Sequence, residues 1–151
     1  MQTIIITLSR DEIATAVENL LYKYGKGIEE AENFMKVYNT MSSRAKVSVD
    51  AHVIDDSWET RTQNAIDFIR DFNPTVTASA GSKVVSLSMS DRWGGSQPTL
   101  KAAMERYITD GMMNDWLEVT APNEATIYGN RLESDEKRIK NIIYSLGKPA
   151  V

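Results

Sequence analysis

The chemistry that this chain could perform starts from its single imidazole, His52, which stands between Ala51 and Val53. Nucleophilic hydrolysis needs a base that contacts a nucleophile on one side and an orienting acid on the other. The residues around His52 supply neither partner at a recognisable spacing, and a chain without cysteine has no thiolate nucleophile or thiolate metal ligand. We therefore expect a protein that is not an enzyme and has no catalytic residues. The alternative is a small enzyme with a scattered site, in which His52 or the pair Asp55 and Asp56 would be required.

The densest acidic cluster consists of Asp50, Asp55, Asp56 and Glu59. A calcium loop places oxygen ligands at alternate positions, with a central glycine and a glutamate at the twelfth position. That pattern is absent here. Acidic residues at a helix start also stabilise the exposed amide groups of the first turn. We expect these residues to begin a helix and not to bind a metal.

Two glycine-containing segments could bind a ligand. Tyr24-Gly25-Lys26-Gly27 lacks the spacing of a phosphate-binding loop, and a helix precedes it where such a loop needs a strand. In the segment Trp93-Gly94-Gly95, the tryptophan could anchor a protein interface, contact a small molecule or pack at the edge of the core. No cofactor is expected.

Length, composition and charge indicate one globular domain covering residues 1–151. The chain is 42% hydrophobic and 25% charged, close to globular averages. Its formal charge of −4 and pI near 5.1 give no basic surface for nucleic acid. Neither a secretory signal nor an apolar run of membrane-spanning length is visible, so we expect a soluble protein made in a cytoplasm, without a membrane partner.

The N-terminal segment predicts a strand followed by helices. Thr3–Leu8 is strongly β-prone, and Ser9 with Glu12 forms a capping box that begins a helix. Apolar residues then recur at spacings of three and four until Gly25–Gly27 interrupts the helix. A second helical pattern covers Ile28–Met41, as an antiparallel partner of the first helix or as its bent continuation.

The middle of the chain predicts a linker, a helix and a hairpin. Ser42–Ile54 alternates apolar and polar residues and is interpreted as extended. A helix begins at Asp56 and ends at Asn73-Pro74, because the residue before a proline disfavours helix. Alternating residues around Gly81 then predict a β-hairpin over residues 75–90.

The last third predicts two long amphipathic helices between Pro98 and Gly147, broken at Ala121-Pro122-Asn123. An exposed loop, Trp93–Pro98, precedes them. The predicted fold class is therefore α+β and mainly α: a helical core of four to five helices with an N-terminal strand and the hairpin. The apolar stripe of the first terminal helix consists of Met104, Tyr107, Ile108, Met112 and Trp116.

One face of the predicted hairpin carries Val85, Leu87 and Met89. So few helices would have difficulty covering this face, and exposed β-edges pair readily with other chains. We therefore predict an oligomer interface at Val85, Leu87, Met89 and Trp93.

The residues from Gly111 to Asn130, reading GMMNDWLEVTAPNEATIYGN, and Leu146-Gly-Lys-Pro149 resemble short virion-associated proteins encoded by tailed phages and prophages of Bacteroidetes. Those proteins similarly run a helix into a hairpin, then a long helix with an Asp-Trp-Leu-like end, a proline turn, an Ala-x-x-Tyr helix and a final proline. The resemblance covers Trp58 to Pro149. It implies a small neck or tail component that binds the portal or copies of itself in a ring.

The functional hypothesis is a structural assembly protein of the virion, a head-to-tail connector subunit in the neck ring. Its partners would be copies of itself, the portal and other neck or tail proteins, with DNA only passing through the channel. Two alternatives stay open. One is a tail-completion or tail-terminator protein, and the other is a helical module that binds a cellular protein.

Overall fold

The computed structural model describes residues 1–27, 43–79, 81–120 and 122–145. The fold is α+β and mainly α, which confirms the predicted class. The elements in chain order are β1 (Gln2–Ser9), α1 (Arg10–Gly27), α2 (Ser43–Asp67), a 3-10 turn (Arg70–Phe72), β2 (Thr75–Ser79), β3 (Ser82–Met89), α3 (Gln97–Thr120) and α4 (Pro122–Ile143).

The start of α1 confirms the predicted cap. The Glu12 amide donates to Ser9 Oγ at 3.4 Å, which satisfies one of the free amides of the first turn. A second hydrogen bond at this helix start connects α1 to the hairpin turn: the Arg10 amide donates to the Gly81 carbonyl at 2.8 Å. The predicted interruption at Gly25–Gly27 is wrong, because α1 continues as a helix to Gly27. The predicted helix over Ile28–Met41 lies outside the described residues.

Helix α2 corrects two sequence predictions. It begins at Ser43, so Ser42–Ile54 is not an extended linker and Asp56 is not a helix start. Alternating small apolar residues fit a strand, but the segment from Ser43 to Asp67 contains no glycine or proline, so nothing in it interrupts a helix. Asp55 and Asp56 therefore lie inside the helix, where they cap nothing.

The helix ends at Asp67, earlier than the predicted end at Asn73-Pro74, and the 3-10 turn over Arg70–Phe72 carries the chain to that point. Asn73 has a left-handed backbone, with φ of 50°, and its amide donates to the Arg70 carbonyl at 2.9 Å. Asparagine tolerates this conformation better than most residues, and it turns the chain into β2.

The hairpin is confirmed as β2 and β3, and β1 completes a three-stranded antiparallel sheet in the order β1-β3-β2. Gly81 lies in the turn with φ of +75°, a conformation that glycine adopts without strain. In the β1–β3 register Ile4 is opposite Leu87 and Ile6 is opposite Val85. One face of the sheet is therefore apolar and faces the helices.

Helix α3 is the centre of the core. It contacts α4, α2, α1 and β1, and all residues of its predicted stripe are buried. Its buried positions extend around the helix, as expected for a helix enclosed on several sides. Ser96 caps its start, since the Thr99 amide donates to Ser96 Oγ at 3.3 Å.

Candidate interaction surface

The four residues predicted as an oligomer interface lie in the core of the chain. Val85, Leu87 and Met89 are at most 2% exposed, and Trp93 is 8% exposed. The premise that this face lacks cover is wrong, because α3 and the apolar residues of β1 pack with it in one hydrophobic cluster. These side chains are not available to a neighbouring subunit while the chain keeps this fold.

Trp93 packs at the edge of the core, one of the three uses left open, and the loop that carries it is not exposed at this residue. Its Nε1 donates to the Ile142 carbonyl at 2.8 Å, and the Gly94 amide donates to the Ser145 carbonyl at 3.0 Å. The indole lies against Gly95, where a Cβ atom would be 2.5 Å from Trp93 Cζ2. The Trp-Gly-Gly segment therefore holds the end of α4 against the loop after β3.

The opposite face of the sheet is polar and uncharged, and we call it the outer face. Residues that are directly opposed in an antiparallel sheet project on the same side. Ile5 is opposite Ser86, which is opposite Thr75, and Thr7 is opposite Val84, which is opposite Thr77. The complete face contains no charged side chain and consists of Thr3, Ile5, Thr7, Ser9, Thr75, Thr77, Ser79, Ser82, Val84, Ser86 and Ser88.

Ile5 lies within this face and is 53% exposed, a large apolar side chain among threonines and serines. Serine and threonine faces can hydrogen-bond to a partner without the cost of removing a charge from water. The outer face is therefore an uncharged surface of the sheet that is partly or fully exposed at every position.

The two edges of the sheet differ. At β1 the Ile5 carbonyl accepts a hydrogen bond of 2.7 Å from Gln97 Nε2, so α3 contributes a side chain to that edge. All five residues of β2 are exposed, and its sequence, Thr-Val-Thr-Ala-Ser, contains neither a charge nor a proline. Val76 is 42% exposed on this strand. Natural proteins commonly protect an edge with lysine, proline or a bulge, and β2 has only its short length.

Two residues of the acidic cluster predicted from the sequence, Asp55 and Glu59, form ion pairs. Asp55 pairs with Arg10, and Glu59 Oε2 lies 2.8 Å from Lys83 Nζ. With Trp58 these four residues line an open cleft of about 170 Å³ beside the hairpin turn. Because each carboxylate already has a cation, the cleft offers no free acidic ligand from this pair of residues. Within the described part of the chain no group of three or more potential ligands could hold a metal ion.

Three other residues considered in the sequence analysis have side chains that lie outside the described residues. The backbone of His52 lies in α2, and its side chain, like those of Asp50 and Tyr24, is outside the described residues. No helix in the described ranges is long and apolar enough to cross a membrane.

Sequence reasoning missed a partly buried ion pair that joins α2 to α3. Arg61 donates to both oxygens of Asp115, at 2.7 and 3.0 Å, and Ser57 Oγ donates to the same carboxylate at 2.6 Å. The hydrogen bond to Asp115 raises the pKa of Arg61 above its ordinary value, and burial opposes that shift. Gly111 leaves room for the Arg61 stem, since a Cβ atom there would be 2.4 Å from Arg61 Cδ. The available signal in the sequence was a spacing of four residues on each helix. It places Ser57 and Arg61 on one face of α2, and Gly111 and Asp115 on one face of α3.

Comparison of the chain with protein-family models, curated proteins and solved structures found no match.

Proposed function

We propose that this protein is a non-enzymatic assembly component of a tailed-phage particle, a subunit of the neck ring between portal and tail. The observation that carries the assembly role is the open side of the sheet: an uncharged outer face together with the exposed, uncharged edge strand β2. The position in the neck follows from the resemblance over Trp58 to Pro149.

Strand β2 supports this role through its backbone. In an antiparallel ladder, alternate residues of an edge strand direct their N–H and C=O groups away from the sheet. A strand or loop of a neighbouring subunit can accept those bonds, which is the β-augmentation mode of recognition. The contact is heterologous in a ring, because β2 of one subunit meets a different surface of the next.

The charge of the chain is consistent with a channel component. A net charge of −4 does not attract the phosphate backbone, so DNA passes such a wall without adhering. The protein would be made in the host cytoplasm and become part of the virion, with the portal and other neck or tail proteins as its partners.

The direct test is size-exclusion chromatography with light scattering, on the chain alone and on the chain mixed with the portal ring of the same phage. We expect a complex in the mixed sample. Neck subunits can stay monomeric until they are recruited, so a monomer in the mixed sample is the result that contradicts the proposal.

A pair of variants tests whether β2 is the contact. Thr77→Lys adds a charge to the centre of the edge strand and should weaken ring formation at least tenfold, because the partner strand must bury the ammonium group or exclude it. Thr60→Lys, at an exposed position of α2, is the matched control and should assemble normally. Equal assembly of both variants would remove β2 from the interface, even if the chain still binds the portal.

A further inference from the structure

Two carboxyl groups are buried between α3 and α4, away from the sheet. Asp110 on α3 is 5% exposed and Asp135 on α4 is 3% exposed. In each residue Oδ2 is buried and has no hydrogen-bond partner among the described residues. A buried carboxylate without a partner is costly, so a charged pair of this kind needs compensation.

The compensation from nearby cations is incomplete. Arg106 Nε lies 3.5 Å from Asp135 Oδ1 and 4.0 Å from Asp110 Oδ2, and the side chain of Arg106 is 53% exposed. Arg131 on α4 is the other cation that acts on Asp110. A half-exposed guanidinium shared between two carboxylates cannot balance two full negative charges in a buried site.

We propose that Asp110 and Asp135, which we call the carboxyl pair, share one proton and form a pH-dependent contact between α3 and α4. With the proton present, one carboxyl donates to the other and the pair carries a single negative charge, which Arg106 can balance. When the proton is lost, two adjacent carboxylates repel each other across the contact between α3 and α4.

The direction of the pH effect follows from the raised affinity for that proton. The pKa of Asp110 is raised from 3.8 to about 7, chiefly by burial and then by the hydrogen bond and charge of Asp135, while Arg131 and Arg106 oppose the increase. The unfolded chain loses this proton near the ordinary value. Stability from the pair is therefore fully present below about pH 4 and is lost progressively as the pH rises to about 7.

The variant Asp110→Asn separates this pair from a contact that is merely well packed. The asparagine amide can donate to Asp135 at every pH, as the protonated carboxyl does only at low pH. We expect D110N to match the native chain in Tm near pH 5 and to exceed it by about 5–10 °C at pH 8, as measured by circular dichroism. Asp67→Asn, which removes an exposed carboxyl from α2, should leave the difference between the two pH values unchanged.

Carbon-13 NMR of the aspartate carboxyl groups in the native chain supplies the second measurement. One carboxyl of the pair should titrate between pH 6 and 8, and that titration should disappear in both D110N and D135N. Two results would overturn the proposal. One is a D110N variant whose Tm is lower than that of the native chain by the same amount at pH 5 and pH 8, and the other is a native chain in which no aspartate titrates above pH 6. These outcomes are independent of whether the protein assembles into a neck ring.

Discussion

The substitution Gly111→Ala tests how the Arg61–Asp115 ion pair depends on one missing Cβ atom. An alanine Cβ would be 2.4 Å from Arg61 Cδ and 2.7 Å from Arg61 Nε, far inside van der Waals contact. The guanidinium is held by two bonds to Asp115, so the stem cannot move without breaking that geometry. We therefore expect the substitution to displace Arg61 and loosen α2 from α3.

The magnitude follows from two opposing effects. Breaking a buried ion pair costs about 3–5 kcal/mol. The side chains of Arg61 and Asp115 keep 16% and 27% of their surface exposed, so solvent reduces this cost to about 2–3 kcal/mol. Replacing glycine with alanine inside a helix returns about 1 kcal/mol. The net loss is about 1–2 kcal/mol, or a Tm lower by about 2–8 °C.

A double-mutant cycle measured by urea unfolding provides the decisive assay. In an Arg61→Ala background the space beside residue 111 is free, so Gly111→Ala should stabilise the fold by about 1 kcal/mol and its effect changes sign. Gly129→Ala in α4 is the matched control, since its Cβ would be 3.3 Å from Asn114 Oδ1, the end of a flexible side chain. That control should change stability by less than about 1 kcal/mol. The reasoning fails if Gly111→Ala is equally destabilising with and without Arg61.

Two further predictions concern buried polar groups. Thr62 is fully buried, and its hydroxyl has no hydrogen-bond partner within the described ranges. Thr62→Val should therefore raise the free energy of unfolding by about 1 kcal/mol. An unchanged or lower value in thermal unfolding would argue that the hydroxyl is satisfied. Trp93→Phe keeps an aromatic ring but removes the donor to the Ile142 carbonyl, and it should cost about 1–2 kcal/mol and increase amide hydrogen exchange at the end of α4, whereas exchange limited to the sheet would contradict this role.

Local patterns were sufficient for the parts of the fold that depend on neighbouring residues. The N-cap at Ser9, the hairpin around Gly81 and the stripe of α3 are each determined within a few residues, and all three are confirmed; of the predicted capping box, the bond from the Glu12 amide to Ser9 Oγ is the part observed. The start of α2 was not predictable in this way. The alternation in Ser42–Ile54 matches strand periodicity, and no cap or other local signal marks the helix that forms there instead.

Contacts between distant segments explain the remaining errors. The apolar face of β3 was assigned to an oligomer interface because it packs in one hydrophobic cluster with residues of β1 and α3, and neither contact is visible in local periodicity. The carboxyl pair was missed for the same reason, since Asp110 and Asp135 belong to different helices and only the packing of α3 against α4 buries both. The outer face and the exposed β2 became identifiable only when the order of the strands was known.

The strand order β1-β3-β2 has a consequence for how this chain reaches its native state. The hairpin of β2 and β3 joins residues that are close in sequence, but Gln2 pairs with Met89, so β1 must wait for a partner that the chain reaches only after α1 and α2. Closing such a long loop is slow compared with hairpin formation. During synthesis on the ribosome, the isoleucine-rich first strand therefore stays unpaired while most of the sheet is still untranslated, and this interval is when the newly made chain is most exposed to aggregation.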